Sequence, residues 1–596
     1  MLKRNIYCGE IKESDIGKKM VLAGWVQSYR DHGGVIFIDL RDITGIMQVV
    51  FNPEINKVSH SVGETLRSED VIAVQGEIQK RSEETINPKL FTGMVELKVN
   101  EVEVLNKSKT PPFEINEEAS QIGEEHRLTY RYIDLRTPVL KQNMIIRHKT
   151  TQEVRNFLNK NRFLEIETPI MNKSTPEGAR DFLIPSRLNH GKFYALPQSP
   201  QIFKQLLMVA GLDRYYQIAR CFRDEDLRKD RQPEFTQIDM ELSFVDETDI
   251  YVIIEHMFKD VIKKVYDKNI LTPFPRMSYR EVMGQYGMDK PDTRIDLFLA
   301  DISDLAEKTN FQVFKEALSK KGIVKSLNVK GGARFSRKEI EDLTEYVSIF
   351  GAKGLAWIKI TDKGPESLLL KYIPVQIQDQ ILKRNKCQAG DILFFGADNH
   401  KIVNDALGNL RVKVAEMLHL IDENKLNFLW IDNFPLLEYN VEEKRFIAMH
   451  HPFTSPKISE KEGGTDKQII EALRKNPENL FARSYDLVLN GTELGGGSIR
   501  IHNKAVQETM FEALKMDKEL YYQMFGFLIK ALEYGAPPHG GIAFGLDRFI
   551  MLMLKEDSIR DVIAFPKTQK GICLLSETPA EVSNIQLKEL GIKTVK

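Results

Sequence analysis

The densest chemistry in the chain lies at Arg220–Phe244, RCFRDEDLRKDRQPEFTQIDMELSF, an incoming segment, a charged loop and an outgoing segment. Tyr215–Arg223 is aromatic and β-branched enough for a strand, and Phe235–Phe244 alternates strictly. On a strand, alternate side chains share a face. Thr236, Ile238, Met240, Leu242 and Phe244 then form a mostly apolar face for a core. Phe235, Gln237, Asp239 and Glu241 form the other: a ring, an amide and two carboxylates. Arg223 ends the incoming strand on the same side as Gln217, so a permanent cation faces those carboxylates. The loop Asp224–Arg231 holds one apolar residue, Leu227; it is too charged to bury and too long for a tight turn. Fixed charges beneath such a loop suit a polyphosphate, the plainer alternative being a solvated face.

Further constellations point the same way. In LPQSPQIFKQLLM, Ser199 is a good N-cap and Pro200 a good first helical residue. Gln201 and Lys204 then share a face, with Ile202, Phe203, Leu206 and Leu207 packing on others. A lysine in a first turn opposes the helix dipole, and the alternatives are a bound anion or a solvated side chain. In SYDLVLNGTELGGGSIRIH, Asn490-Gly491 is a hairpin turn signal that brings Asp486 and Glu493 near one another, a hard-ligand pair for Mg²⁺ beside phosphates. Gly495, Gly496 and Gly497 allow close backbone approach by a ligand. Arg500 shares a face with Ser498 and is out of place on a buried strand unless it meets an anion. A helix beginning near Gly545 in PPHGGIAFGLDRFIMLML buries Leu546, Phe549, Ile550 and Leu552. Its N-terminus favours phosphate, and Arg548 in its first turn needs an anionic ligand. His450 and His451 precede a loop rich in proline and glycine. They have no third ligand at a fixed spacing, so zinc is not expected, nor is an organic cofactor.

FRDEDLRKDRQPEFTQIDME resembles motif 2 of the class II aminoacyl-tRNA synthetases in the bacterial aspartyl form, and the match is long and ungapped. The segment from Gln142 through FLEIETPIM, a helix and then a strand closed by Pro169, resembles motif 1, and PPHGGIAFGLDRFIMLML resembles motif 3. The resemblance implies a homodimer built on motif 1 and a two-step reaction. Aspartate would attack the α-phosphorus of ATP, giving aspartyl-adenylate and pyrophosphate, and a tRNA ribose hydroxyl would then take the aspartyl group. It implies that Arg223 holds the α-phosphate and Phe235 stacks on adenine. Asp224, Glu225 and Gln232 would touch ATP from the loop, and Glu493, Gly545, Leu546, Asp547 and Arg548 from the C-terminal half. Arg223 and Arg548 would be the catalytic cations, with Mg²⁺ on Asp486 and Glu493. Aspartate would be held by Glu177, Ser199, Gln201 and Lys204, by Arg223 and Asp239, and by His450, His451 and Arg500. Lys204 and Arg500 would meet its side chain as a cation pair that a neutral amide leaves unpaired.

The elements that must position these groups follow in order. Strands at Met20–Val26, Val35–Leu40, Ile46–Phe51, Val71–Ile78 and Val95–Leu105, with a helix near Ser59–Leu66, fit an OB barrel over residues 1–108. Arg30, Phe37 and Gln48 supply the cation, ring and amide that unpaired bases need, and by resemblance they read the anticodon. His32, before Gly33-Gly34, is the residue that aspartyl enzymes also charging tRNA(Asn) tend to carry. Glu83 and Glu84 on the facing hairpin weigh the other way. The substrates implied are ATP, L-aspartate and tRNA(Asp), with tRNA(Asn) through His32, and a strictly discriminating enzyme as the alternative. A linker, 109–141, leads to the catalytic residues 142–291, where the family has an antiparallel sheet flanked by helices. An α/β insertion domain, 292–425, resembles that of bacterial aspartyl enzymes and carries no catalytic constellation. The catalytic part resumes at 426–567, and 568–596 is an extension without an assigned role. The whole is α+β and multidomain.

Composition limits the alternatives. At 596 residues the chain suggests about four domains, and its hydrophobic fraction of 42% and charged fraction of 28% are those of a soluble globular protein. A net charge of −1 confines any RNA contact to local basic patches. Cys8, Cys221, Cys387 and Cys573 show no metal spacing, and there is no signal core or membrane-spanning run, so a reduced cytoplasmic location is expected. Two rivals from other classes are a tRNA-independent ligase forming an amide through an adenylate and a non-enzymatic single-strand-binding protein. The barrel argues against the first and the three ATP motifs against the second.

Overall fold

Alternating strands punctuated by glycine turns build the N-terminal part. The computed structural model describes residues 1–596 except Glu117, Ala119, Ser120, Pro176, Glu177 and Lys596. One compact unit comprises Met1–Ile145 with Ala564–Thr568 and Ile572–Pro579. Its strands β1 (Lys19–His32), β2 (Val35–Arg41), β3 (Ile46–Phe51), β4 (Val71–Lys80) and β5 (Val95–Asn106) close a barrel in the order β1-β2-β3-β5-β4. Helix α1 (Lys57–Glu64) lies between β3 and β4. Leu22, Ile36, Ile38, Val49, Val74 and Leu97 fill the barrel. β1 runs six residues past its expected end at Val26, because the β1–β2 register shifts between Val26 and Ser28 and breaks the alternation that marks a strand in sequence. Helix α1 starts before Ser59 because the Asn56 side chain accepts the Ser59 N–H, a cap the sequence reading overlooked.

The second unit comprises Ile146–Ile563 with Gln569–Gly571 and Ala580–Lys596. Helix α2 (Pro138–Lys160) leads to the short strand β6 (Leu164–Glu165), and α3 (Gln201–Val209) precedes β7 (Arg214–Phe222) and β8 (Glu234–Ser243). Then come α4 (Glu247–Tyr266) and β9 (Arg276–Ser278). The expected motif 1 strand is thus two residues long, and Pro169 does not close it. Phe244, assigned to the apolar face of β8, lies beyond the strand at φ 59° and is 75% exposed, because the chain turns left-handed there toward α4.

The insertion has its own sheet. Strands β10 (Leu299–Asp301), β11 (Ile323–Val329), β12 (Ala356–Thr361), β13 (Gly364–Glu366) and β14 (Ile392–Asp398) are ordered β10-β11-β14-β12-β13. Every neighbouring pair is antiparallel, so the insertion is α+β rather than the α/β module expected. Helix α5 (His400–Met417) packs Val403, Leu407 and Leu410 on it. Arg411 of α5 is fully buried, donates to the carbonyls of Asp292, Ile295 and Leu297, and lies 4.7 Å from the Tyr286 ring centroid.

The chain returns through β15 (Phe428–Asp432), β16 (Ser484–Leu489), β17 (Thr492–Ile499), β18 (His539–Gly545) and α6 (Leu546–Leu554). The main sheet has eight strands, β9-β15-β16-β17-β18-β8-β7-β6. It is antiparallel through its centre and parallel only in its outermost pairs, β9–β15 and β6–β7. Ile238, Met240, Trp430, Leu487, Ile542 and Phe544 pack with residues of α4 and α6 into one core. Among the described residues no helix is long and apolar enough to cross a membrane.

Candidate active site

Strand pairing turns the alternation of β8 into a floor. Asp239 pairs with Gln217 of β7 on one side and Ala543 of β18 on the other. One face of β8 enters the core, and Phe235, Gln237 and Asp239 line a cavity of about 670 Å³. Glu241, next along that face, is buried, and a Cβ at the facing Gly541 would lie 2.0 Å from its Oε2. Glycine at that position makes room for the carboxylate.

At one end of the cavity four buried charges form a closed set. Lys204 Nζ lies 2.7 Å from Asp239 Oδ1 and 3.2 Å from Glu241 Oε2. Arg500 donates from Nε to Glu241 Oε1 at 2.9 Å, from NH2 to Oε2 at 3.1 Å and from NH1 to Ser498 Oγ at 2.7 Å. Burial pushes Glu241 upward, but Arg500 and Lys204 outweigh it and hold the carboxyl at about 2. For Asp239 burial prevails over Lys204, and its pKa is raised. The expected pair of cations awaiting a carboxylate is therefore corrected: each cation already has a carboxyl partner in the folded protein. The reason is the cost of desolvating cations without counter-charges. What stays open is directional: Asp239 Oδ2, Gln201 Nε2 and His451 Nε2 are buried without a hydrogen-bond partner among the described residues.

The helix carrying Lys204 begins one residue later than expected. Pro200 occupies the N-cap position and Ser199 Oγ accepts the Gln201 N–H at 3.3 Å. Lys204 is 2% exposed, so it is neither solvated nor a dipole error but the hub of the charge set.

The other end is built for anions. Arg223, just past β7, has a buried Nε without a partner among the described residues, and its guanidinium carbon lies 5.1 Å from the Phe235 ring centroid. Arg548, in the first turn of α6, donates from NH1 to the Glu493 carbonyl at 2.9 Å and from NH2 to Asp230 at 3.1 Å, leaving its buried Nε without a partner among the described residues. Asn490 and Gly491, at φ 50° and 83°, turn β16 into β17, and Asp486 and Glu493 both line the cavity. Asp486 and then burial raise the Glu493 pKa, as two carboxylates sharing one space require. A Cβ at Gly496 would lie 2.4 Å from Asp486 Oδ1. Gly495 and Gly497 also line the cavity, and the sheet needs glycine at both as well, since a Cβ there would lie 2.1 Å from backbone oxygens of β18.

The two histidines divide between the ends. His450 Nε2 lies 3.4 Å from Asp486; burial works downward on it, but Asp486 prevails and its pKa is raised. His451 accepts the Phe453 N–H on Nδ1, and burial, then Arg500 and Lys204, lower its pKa to about 3. An unfolded histidine titrates near 6.5. His451 therefore contributes stability above pH 6.5 that is lost as pH falls toward 3, by up to ~1.4 kcal/mol per pH unit. His451→Gln is expected to flatten the fall of the urea midpoint between pH 6.5 and 4; an unchanged slope would contradict this.

Glu225, Gln232, Gly545 and Asp547 also line the cavity, Glu225 paired with Arg231 at 2.9 Å. Asp547 Oδ2 accepts the Thr236 N–H at 2.8 Å, clamping α6 to β8. Three expected residues stand apart. Asp224 pairs with Arg180 at 3.6 Å outside the cavity lining, because its backbone bridges to that residue. The Leu546 side chain is 1% exposed in the core, since it begins the apolar face of α6. Glu177 lies outside the described residues. Sequence reasoning missed Glu241 as an ion-pair partner, and Arg228, Asp289 and Lys290 as lining residues; Lys290 lies 3.5 Å from Glu493. Alternation put Glu241 on the right face, but nothing periodic marks the other three.

On the barrel, Arg30 and Phe37 are register partners, and Arg30 lies 3.0 Å from Asp39. Gln48 sits within β3, not near its end, and donates to Glu96 at 2.9 Å. His32 ends β1, its ring centroid 6.0 Å from that of Phe37, and Glu83 and Glu84 lie exposed on a single 3₁₀ turn.

Comparison with known proteins follows this division. Residues 123–569 match the model of the tRNA synthetases class II (D, K and N), and residues 20–105 that of the OB-fold nucleic acid binding domain. The chain is 53% identical over 596 residues to the aspartate–tRNA(Asp/Asn) ligase of Desulfatibacillum aliphaticivorans, covering 100% of this chain and 98% of that one. It is 51% identical over 594 residues to the aspartate–tRNA ligase of Staphylococcus saprophyticus, covering 100% of both. The crystal structure of asparaginyl-tRNA synthetase from Pyrococcus horikoshii complexed with asparaginyl-adenylate shares the fold, with a TM-score of 0.58 at 19% identity over 95% of this chain and 99% of that one. With an N-terminal barrel, this charged cavity and a family match across most of its length, the chain belongs to the class II tRNA synthetases of the D, K and N group.

Proposed function

We propose that this chain is an aspartate–tRNA ligase, joining L-aspartate to tRNA(Asp), and to tRNA(Asn) as well, through an aspartyl-adenylate. The observation that carries the reading is full-length similarity, above half identity, to aspartate–tRNA ligases. The cavity supports it, with a charge set at one end and free arginine donors at the other. Lys204, Arg500, Asp239, Gln201, Ser199 and His451 would bind aspartate, with Glu177 and His450 at its margin. Phe235, Glu225 and Gln232 would hold ATP, with Asp224, Gly545, Leu546 and Asp547 near it through backbone. The aspartate α-carboxylate attacks the α-phosphorus, the bond to the β-phosphate oxygen breaks, and pyrophosphate leaves. Arg223 stabilises the crowded α-phosphate and Arg548 the departing charge. A tRNA ribose hydroxyl then takes the aspartyl group and AMP leaves. Asp486 and Glu493 fit Mg²⁺: they are two hard carboxylate donors whose mutual repulsion a cation relieves, beside a glycine cradle. Mg²⁺ brought with ATP would supply charge neutralisation at the phosphates.

We assign residues 1–108 to anticodon recognition through Arg30, Phe37 and Gln48, 109–141 to the linker, and 142–291 with 426–567 to catalysis. Residues 292–425 are the insertion and 568–596 the extension. A cytoplasmic homodimer is part of this reading, the homodimer being supported by a group of exposed apolar side chains. Ile170, Met171, Leu183 and Phe193 are 47–56% exposed; Leu183 and Phe193 stand on the paired strands Leu183–Pro185 and Phe193–Ala195, and Met171 precedes Asn172, which bridges to Ala195. His32 supports relaxed tRNA choice, since an imidazole donates or accepts and tolerates either pyrimidine, while Glu83 and Glu84 oppose it. Charging purified tRNA(Asp) and tRNA(Asn) side by side tests both levels. Comparable efficiencies are expected. A preference for tRNA(Asp) beyond ~10³, about 4 kcal/mol, would leave a discriminating enzyme, and failure to charge either would reject the function.

A further inference from the structure

A second cavity, of about 230 Å³, lies wholly within the N-terminal unit. Gln27, Arg41 and Ile46 line it from the barrel strands, Lys89 and Phe91 from the β4–β5 connection, and Lys141 from the start of α2. None of its residues belongs to the catalytic cavity.

The charges around it do not balance. The Arg41 side chain is 8% exposed, and only its NH2 is engaged, 2.8 Å from each Glu69 oxygen. Among the described residues, nothing accepts a hydrogen bond from its Nε or NH1. Glu69 also accepts from Arg136 at 2.8 Å, so two arginines share one carboxylate. Lys141 stands half-buried in the first turn of α2, where a cation opposes the helix dipole, and its ammonium has no hydrogen bond or ion pair with any described residue. Burial and the neighbouring Arg41 guanidinium lower its pKa; Asp42 works the other way. The Asp42 carboxylate is already occupied by the N–H groups of Cys8, Thr44 and Gly45 and the Thr44 hydroxyl. Two desolvated cations facing each other at a helix N-terminus, with donors to spare, await an anion.

The setting identifies which anion. Arg41 and Ile46 lie two residues along β2 and β3 from Asp39 and Gln48, on the same outward face. That is about 7 Å, so a strand of nucleic acid crossing Phe37 and Gln48 reaches the cavity within a nucleotide or two. Phe91, 77% exposed on the rim, offers a ring beside it. We propose that the Arg41–Lys141 cavity binds a backbone phosphate of the RNA that crosses the barrel face. This rests on the tRNA reading above.

The test uses the full-length protein with purified tRNA(Asp). Lys141→Met is expected to raise the tRNA Kd about tenfold and to reduce the slope of log affinity against log salt by roughly 0.7–0.9, one phosphate contact. Aspartate-dependent pyrophosphate exchange should stay within twofold, and Lys141→Arg should restore most of the affinity. Lys89→Met, at the exposed rim, guards against a folding artefact and should show a smaller shift of the same sign. Unchanged affinity and slope in the double variant Lys89→Met/Lys141→Met would overturn the site. So would inorganic phosphate raising the Tm of the wild type but not of Lys141→Met while tRNA binding is unaltered, which would mark a free-anion site. Wild-type protein lacking aspartate-dependent exchange would instead reject the functional reading.

Discussion

Arg223→Ala is expected to lower aspartate-dependent pyrophosphate exchange several hundred-fold, about 3–4 kcal/mol, with little change in Tm. The size follows from where the guanidinium stands. Its Nε is buried without a partner among the described residues, and the floor carboxyls Asp239 and Glu241 are already paired with Lys204 and Arg500, so its charge is uncommitted to the fold. The backbone N–H of Arg223 serves the fold, donating to the Pro233 carbonyl at 2.9 Å. Such a cation meets charge that grows toward the transition state, and its loss should fall on kcat. Phe235, 5.1 Å from the same guanidinium, stacks on ground and transition states alike. Phe235→Ala should therefore raise the KM for ATP with a smaller effect on kcat. Matching kinetic signatures in the two variants would show that the separate roles are wrong.

The sequence revealed most about features governed by a period or by a turn residue. Alternation placed Asp239 and Glu241 opposite Ile238 and Met240, and Asn490-Gly491 placed a hairpin between Asp486 and Glu493. The five barrel strands and the helix between the third and fourth were legible because glycine and polar residues separate them. Where the chain departs from a period, the reading failed. The bulge at Val26–Ser28 hid the last residues of β1, and the left-handed Phe244 ended β8 early. Pairing between distant segments was invisible as well. Glu241 and Arg500 are 259 residues apart, and no local pattern shows that they meet. Lys290 likewise reaches Glu493 from the root of the insertion, through a turn with no apolar periodicity.

That long-range pairing changes what Arg500→Leu should do. Had Arg500 been an unpaired cation awaiting substrate, its loss would leave the free protein intact or more stable. Instead its guanidinium neutralises Glu241, which is 0% exposed and keeps only Lys204 once Arg500 is gone. Removing one partner of a buried pair costs about 3–5 kcal/mol, so Arg500→Leu should lose both stability and aspartate activation. A second substitution separates the two effects. In Glu241→Gln/Arg500→Leu the orphaned charge is gone, and a neutral amide can still accept from Lys204. Most of the lost Tm should return, whereas aspartate-dependent exchange should stay at least 10³-fold down, because the fork that would meet the substrate carboxylate is missing. Calorimetry and exchange assays on the wild type and both variants decide it. A stable, active double variant would mean that Arg500 serves only the fold. A single variant with undiminished Tm would mean that the pairing with Glu241 is not what holds this end of the cavity together.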